Sequence, residues 1–203
     1  MPKGTTKTRF DNIAKEGATV TIEEVNYDDC VRMAAAEAAK TEHGIIVQDT
    51  AWEGYEEIPS WIMQGYGTMV MEADQQLRED GAGRPTHVFV QAGVGSLAGA
   101  VVGYFANKYK DNPPIMAVCE ASAADCLYRS AVKKTGELVN VSGDLNTIMA
   151  GLHDEDARDL KEALKLDENS NILVISTEGD TDPVRYREIV WDGLYGTDKS
   201  LSK

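Results

Sequence analysis

Thr86-His87-Val88-Phe89-Val90-Gln91-Ala92-Gly93-Val94-Gly95-Ser96-Leu97-Ala98-Gly99 is the stretch that decides the fold. Residues 86–91 read as a strand and residues 96–109 as a helix, so the glycines stand at a strand-to-helix turn. Glycine lets backbone N–H groups come close to an anion, and the start of a helix adds a partial positive charge. A phosphate is therefore the natural occupant of a loop made of Gly93, Val94, Gly95 and Ser96. A tight turn with close packing would use the same residues. The spacing Gly93-x-Gly95-x-x-Ala98 also fits a dinucleotide fingerprint. In that reading Glu120, at the end of the next strand, would take ribose hydroxyls.

On either side of this unit, apolar runs alternate with helical patterns. Residues 18–25 alternate like a half-buried strand, Asp28 or Asp29 can cap a helix to about Thr41, and 45–47 read as a short buried strand after Gly44. A long amphipathic helix is predicted from Ile58 to about Glu79. Further strands are predicted at 115–120 and 172–175. Helices are predicted at 121–132, 154–166 and 183–191, the last with Pro183 in its first turn. The opening Met1-Pro2-Lys3-Gly4 reads as the end of a strand entering a helix at 6–16, with the strand itself missing. Strand–helix alternation predicts an α/β fold, a mostly parallel sheet with helices on both faces. Ligands of such sheets bind beyond the carboxyl ends of the strands.

Two more strand ends carry polar groups. Asp49, after Ile45-Ile46-Val47-Gln48, could serve as a general base if its surroundings favour it, or could simply cap a turn or pair with a cation. Trp52 and Tyr55 would pack nearby and could exclude water. Ser176 or Thr177, after Ile172–Ile175, could hydrogen-bond a ring nitrogen. Glu178, Asp180 and Asp182 could suit a hard cation, but capping before Pro183 is the simpler role for Asp182. No metal site is expected from the spacing of His43, His87 and His153 or of Cys30, Cys119 and Cys126.

The formal net charge of −14 argues against nucleic acid and anionic membrane surfaces as partners. There is no run of 18 apolar residues to span a bilayer and no secretory signal at the start. An odd number of cysteines fits a reducing compartment, so a cytoplasmic location is expected.

Several longer segments together resemble one family, the diaminopropionate ammonia-lyases. They are Asp49-Thr50-Ala51-Trp52-Glu53-Gly54-Tyr55, Pro59-Ser60-Trp61-Ile62-Met63-Gln64-Gly65-Tyr66, Gln91–Gly95, Ala124-Asp125-Cys126-Leu127-Tyr128-Arg129-Ser130, Thr147-Ile148-Met149-Ala150-Gly151-Leu152 and Ser176–Asp182. The resemblance implies a partial tryptophan-synthase-β-like fold (fold type II) and pyridoxal 5'-phosphate (PLP) as cofactor. It implies conversion of 2,3-diaminopropionate to pyruvate and two ammonia molecules, and a homodimer. By the same resemblance Gly93–Ser96 would cradle the cofactor phosphate, Thr177 or Ser176 would face the pyridine nitrogen, and Asp49 would be a base near the substrate α-carbon. Residues 1–50 would be a remnant of the smaller α/β domain and 51–203 a partial cofactor-binding domain, with an internal deletion after about residue 152. The family's Schiff-base lysine and a second catalytic aspartate match no position here, so this polypeptide alone is expected to be inactive. A non-catalytic remnant that binds a phosphorylated ligand or a partner is the alternative.

Overall fold

The computed structural model describes residues 1–141, 160–177 and 183–192. Its residues fall in two compact units, Gln48–Ser176 and Met1–Val47 with the residues from Thr177 on.

The unit Gln48–Ser176 is built on the parallel sheet. Strand β1 (His87–Gln91) lies between β2 (Ile115–Cys119) and β3 (Ile172–Val174). His87 is in register with Ile115 on one side and Ile172 on the other. Asn171 fixes the start of that register. Its side-chain amide donates to the Ala82 and Arg84 carbonyls at 2.7 and 3.0 Å, and its own carbonyl accepts from the Thr86 amide at 2.8 Å. Alternation along β1 sends Val88 and Val90 to one face, where they are buried with Val70 of α3 (Glu57–Glu79) and with Ala98, Val101 and Phe105 of α4 (Ser96–Lys108). His87 points to the other face, where its Nε2–H donates to the Leu164 carbonyl, just past α6 (Leu160–Ala163), at 2.7 Å. Helices thus stand off both faces of the sheet.

A buried carboxylate fastens α3 to α4. Asp74 is 1% exposed and accepts from Arg78, Lys108, Tyr104 (3.1 Å) and Tyr109 (3.2 Å). Burial by itself would raise the Asp74 carboxyl, but the hydrogen bonds from Lys108, Tyr104 and Arg78 outweigh it and hold the group below the ordinary aspartate value. A depressed carboxyl stabilises the fold above the unfolded-state value near pH 4, and that stability is lost as pH falls through the lower folded value. Asp74→Asn should cost about 3 kcal/mol or more at pH 7, because it leaves two cations facing a neutral group. It should also flatten the acid limb of a melting-temperature profile between pH 5 and 2. An unchanged midpoint and profile would show that Asp74 contributes no net stability.

In the other unit, residues 1–3 lie parallel to residues 21–25. Pro2 bridges Glu23, the Glu23 amide donates to the Met1 carbonyl at 2.8 Å, and the Lys3 amide donates to the Val25 carbonyl at 3.3 Å. This single bridge stands where a strand over 18–25 was expected. Helix α1 (Lys7–Ala14) follows with Thr6 as its cap. Helix α2 (Tyr27–Lys40) is capped by Asn26, whose side chain accepts from the Asp29 amide at 2.8 Å, and not by Asp28 or Asp29. Asn26 has the extended backbone that a cap requires, whereas the aspartates already lie within the first turn. Pro183 opens α7 (Pro183–Tyr186), which runs into a π-helical turn, Arg187–Trp191.

Residues 45–47 form no strand. Ile45 and Val47 are 72% and 63% exposed, and no strand pairing includes them. Residues 122–124 form a 3-10 turn ahead of α5 (Cys126–Lys133), so the expected helix starts late. The expectations for 142–159, and those for Glu178, Asp180 and Asp182, lie outside the described residues.

Candidate functional site

The glycine loop leaves β1 after Gln91. Pairing extends one residue further, through the Ala92 amide to the Cys119 carbonyl at 2.8 Å. Gly95 then caps α4 in the left-handed region, at φ 97°. A side chain there would be strained, and its Cβ would stand 3.3 Å from Leu127 Cδ2. With glycine at the cap, no side chain hydrogen-bonds the first-turn amides of the helix. Among the described residues, the backbone amides of Gly93 to Ala98 have no protein acceptor. A row of open amides at the start of a 13-residue helix is an anion site in chemical terms.

Ser96 ties this loop to Asp49. The Ser96 hydroxyl donates to the Asp49 carbonyl at 2.6 Å, and Ser96 is 8% exposed. Its hydroxyl proton is therefore committed, and what it offers an anion is its backbone N–H. Asp49 is half-buried on a bend and does not end a strand. The Tyr66 hydroxyl, from the third turn of α3, donates to Asp49 Oδ2 at 3.0 Å. Burial, and then the Asp49 carboxylate, push the Tyr66 hydroxyl up, so it stays a donor at neutral pH. Trp52 and Tyr55 close the adjoining turn, their rings stacked with centroids 4.2 Å apart. The Tyr55 hydroxyl accepts from the Gln48 amide at 3.0 Å. Gln48 buries its Nε2 without a partner, an open donor next to Asp49 in the chain.

Ser176 follows Ile175, whose amide donates to the Phe89 carbonyl at 2.9 Å, so it stands exposed beyond the end of β3, beside β1. The structure therefore brings Asp49, Gly93–Ser96 and Ser176 into one unit, at the carboxyl end of one sheet. Thr177 belongs to the other unit.

Two side chains that the sequence placed elsewhere, or not at all, shape this site. Glu120 does not stand open for a ribose. Its Oε1 accepts from the Leu127 amide at 2.9 Å and its Oε2 from the Tyr128 amide at 2.7 Å, so both oxygens are spent on the start of α5. The dinucleotide reading loses its acid. Tyr66 had no local signal, since it meets Asp49 from 17 residues away. The Glu120 contact was in principle visible as an acidic residue just ahead of a helix.

The residues present fit PLP at its phosphate end, where open amides and a glycine that admits no side chain form the cradle. Among the described residues, no lysine is placed for the covalent attachment. Every described lysine is exposed. Lys108, at 29% side-chain exposure, is the ammonium partner of Asp74. Burial would lower Lys108, but Asp74 and Tyr104 hold it above the ordinary lysine value, which keeps it protonated. A Schiff-base lysine needs a defined position where its amine can lose a proton.

A model for "Pyridoxal-phosphate dependent enzyme" matches residues 1–179. Diaminopropionate ammonia-lyase of Salmonella typhimurium is 39% identical, over 95% of this chain and 63% of that protein. The Escherichia coli protein of the same name is also 39% identical, over 96% of this chain and 64% of that protein. A crystal structure of holo diaminopropionate ammonia-lyase from Escherichia coli superposes with a TM-score of 0.80 at 36% identity, over 95% of this chain and 63% of that one. This chain thus spans less than two thirds of the length of these relatives. The Salmonella alignment runs over 256 positions, more than the 203 residues here, so parts of that enzyme between the matched segments have no counterpart in this chain.

Proposed function

Because the chain belongs to the pyridoxal-phosphate-dependent enzymes, we propose that it carries the phosphate cradle and a proton-moving aspartate of a diaminopropionate ammonia-lyase. The observation that carries this reading is the convergence of open amides at Gly93–Ala98 with Asp49, held there by Ser96. The reaction is 2,3-diaminopropionate plus water to pyruvate plus two ammonia. When bound, PLP supplies an electron sink for the charge left at the substrate α-carbon. Gly93, Val94, Gly95 and Ser96 hold its phosphate through backbone N–H groups. Ser176 or Thr177 presents a neutral hydroxyl to the ring nitrogen, which suits elimination. The Asp49 carboxylate takes the α-proton, steadied at Oδ2 by the Tyr66 hydroxyl. Trp52 and Tyr55 cover the approach and keep water from the reacting carbon. With the stoichiometry above, the chemistry PLP would supply releases the β-nitrogen as ammonia and, with one water taken up, pyruvate and the second ammonia.

The same reading assigns the protein to amino-acid catabolism, with a small amino acid as substrate. It makes the protein a homodimer, and cytoplasmic, in keeping with three free cysteines. No helix of the described residues is long and apolar enough to cross a membrane.

The test uses two polypeptides. In the 203-residue chain, borohydride treatment with PLP should leave no specifically pyridoxylated lysine, and pyruvate formation should match a protein-free control containing PLP. A chimera joining this chain to the parts of the Salmonella enzyme that it does not match should form pyruvate from 2,3-diaminopropionate. A well-folded chimera that binds PLP but forms no pyruvate with either enantiomer would end the ammonia-lyase reading.

A further inference from the structure

We propose that Glu120 is a positioning residue for the phosphate cradle, acting through the first turn of α5. The proposal deepens the reading above and rests on it. Helix α5 has no cap of its own, since Asp125 at its N-cap makes no side-chain cap bond. Glu120, from the end of β2, supplies that cap at a distance. Its two oxygens accept the Leu127 and Tyr128 amides, and a carboxylate at a helix start gains from the local positive charge as well.

The turn held in this way is the one that touches the loop. The Leu127 side chain lies where a Gly95 Cβ would point, 3.3 Å away, so it backs the left-handed cap residue directly. Cys126 Sγ lies 3.7 Å from the Gly93 carbonyl and 3.5 Å from Glu120 Oε1. Burial, and then Glu120, push the Cys126 thiol up, so it keeps its proton and donates to one of these two oxygens at a time. Both glycines of the cradle are thus braced from α5, and α5 is anchored by one carboxylate. Loop amides serve an anion well only if they are already aimed before it arrives. Glu120 provides that aim without touching the ligand.

The experiment compares the 203-residue chain with Glu120→Ala, Glu120→Gln and, as a control, Asp74→Asn. Asp74 lies in the α3–α4 contact and bonds no loop residue. Backbone 15N order parameters at Gly93–Ser96 report the brace itself, and calorimetry with inorganic phosphate reports the cradle. Glu120→Ala should drop the order parameters from about 0.85 toward 0.6 and weaken phosphate roughly tenfold. Glu120→Gln keeps an acceptor for one of the two amides and should fall between. Asp74→Asn should lower the melting temperature and move neither loop readout.

Unchanged order parameters in both Glu120 variants would overturn the proposal. So would an equal loss of loop order in Asp74→Asn, which would make the effect one of general stability. If Glu120→Ala does not fold, Glu120→Gln alone decides. Loop order that depends on Glu120 in a chain that binds no phosphate would support the brace and overturn the phosphate reading instead.

Discussion

Gly95→Asp is expected to abolish phosphate and PLP binding without unfolding the protein. The residue caps α4 at φ 97°, a conformation that aspartate and asparagine tolerate better than other side chains. Gly95 lacks the extended backbone of a capping side chain, so an aspartate there would act by its bulk and charge beside the first-turn amides and not as a cap. It would also set a negative charge against an incoming anion. The strained backbone should cost about 1 to 3 kcal/mol of stability while binding is lost altogether, a disproportion that a packing role for Gly95 would not produce. Gly95→Asn isolates the charge, since it has the same shape and is neutral. It should retain weak binding, impaired by the Leu127 contact at 3.3 Å. Calorimetry with phosphate and with PLP, alongside a melting curve for each variant, measures both effects. Equal affinity in Gly95→Asp and the parent chain would make the loop a packing turn.

Asp49→Asn should leave PLP bound but slow α-proton removal roughly 100-fold or more, the usual weight of a general base. The substitution keeps an oxygen to accept from the Tyr66 hydroxyl and leaves the Asp49 carbonyl, with its bond from Ser96, untouched. Local geometry should therefore persist while proton affinity is lost. Tyr66→Phe tests the support separately and should cost much less than Asp49→Asn, because the carboxylate remains. The measurement belongs in the chimera, with single-turnover exchange of the substrate α-proton read for each enantiomer. Unchanged exchange with both enantiomers would remove Asp49 from the proton-moving residues.

The stretch 86–99 was legible because each level agrees there. A β-rich run pairs on both sides, and Gly95 stands at a left-handed turn that favours glycine. The helix predicted over 58–79 lies at Glu57–Glu79 for the same reason, with an apolar stripe and α4 to pack on. Residues 45–47 misled because three apolar residues look alike in a strand and in an extended linker; pairing decides, and pairing is not local. Asp49 stood out as a candidate by its chemistry and its motif, but its surroundings did not. Tyr66 and Ser96 reach it from 17 and 47 residues away. Asp74 carries no local signal, since Lys108 and two tyrosines close around it from 30 and more residues on. Glu120 sat at the right strand end for a ribose ligand, and only the chain path through Ser122–Ala124 shows that it folds back onto α5.

The most direct test is titration of the 203-residue chain with PLP, with pyridoxal lacking the phosphate, and with NADH. A cradle at Gly93–Ser96 predicts that PLP binds at least about tenfold more tightly than pyridoxal, since charge-assisted bonds to the phosphate are the main difference between the two. It also predicts that inorganic phosphate competes with PLP, and that NADH binds no better than phosphate itself. Equal affinity for PLP and pyridoxal, or NADH binding that PLP cannot displace, would contradict it.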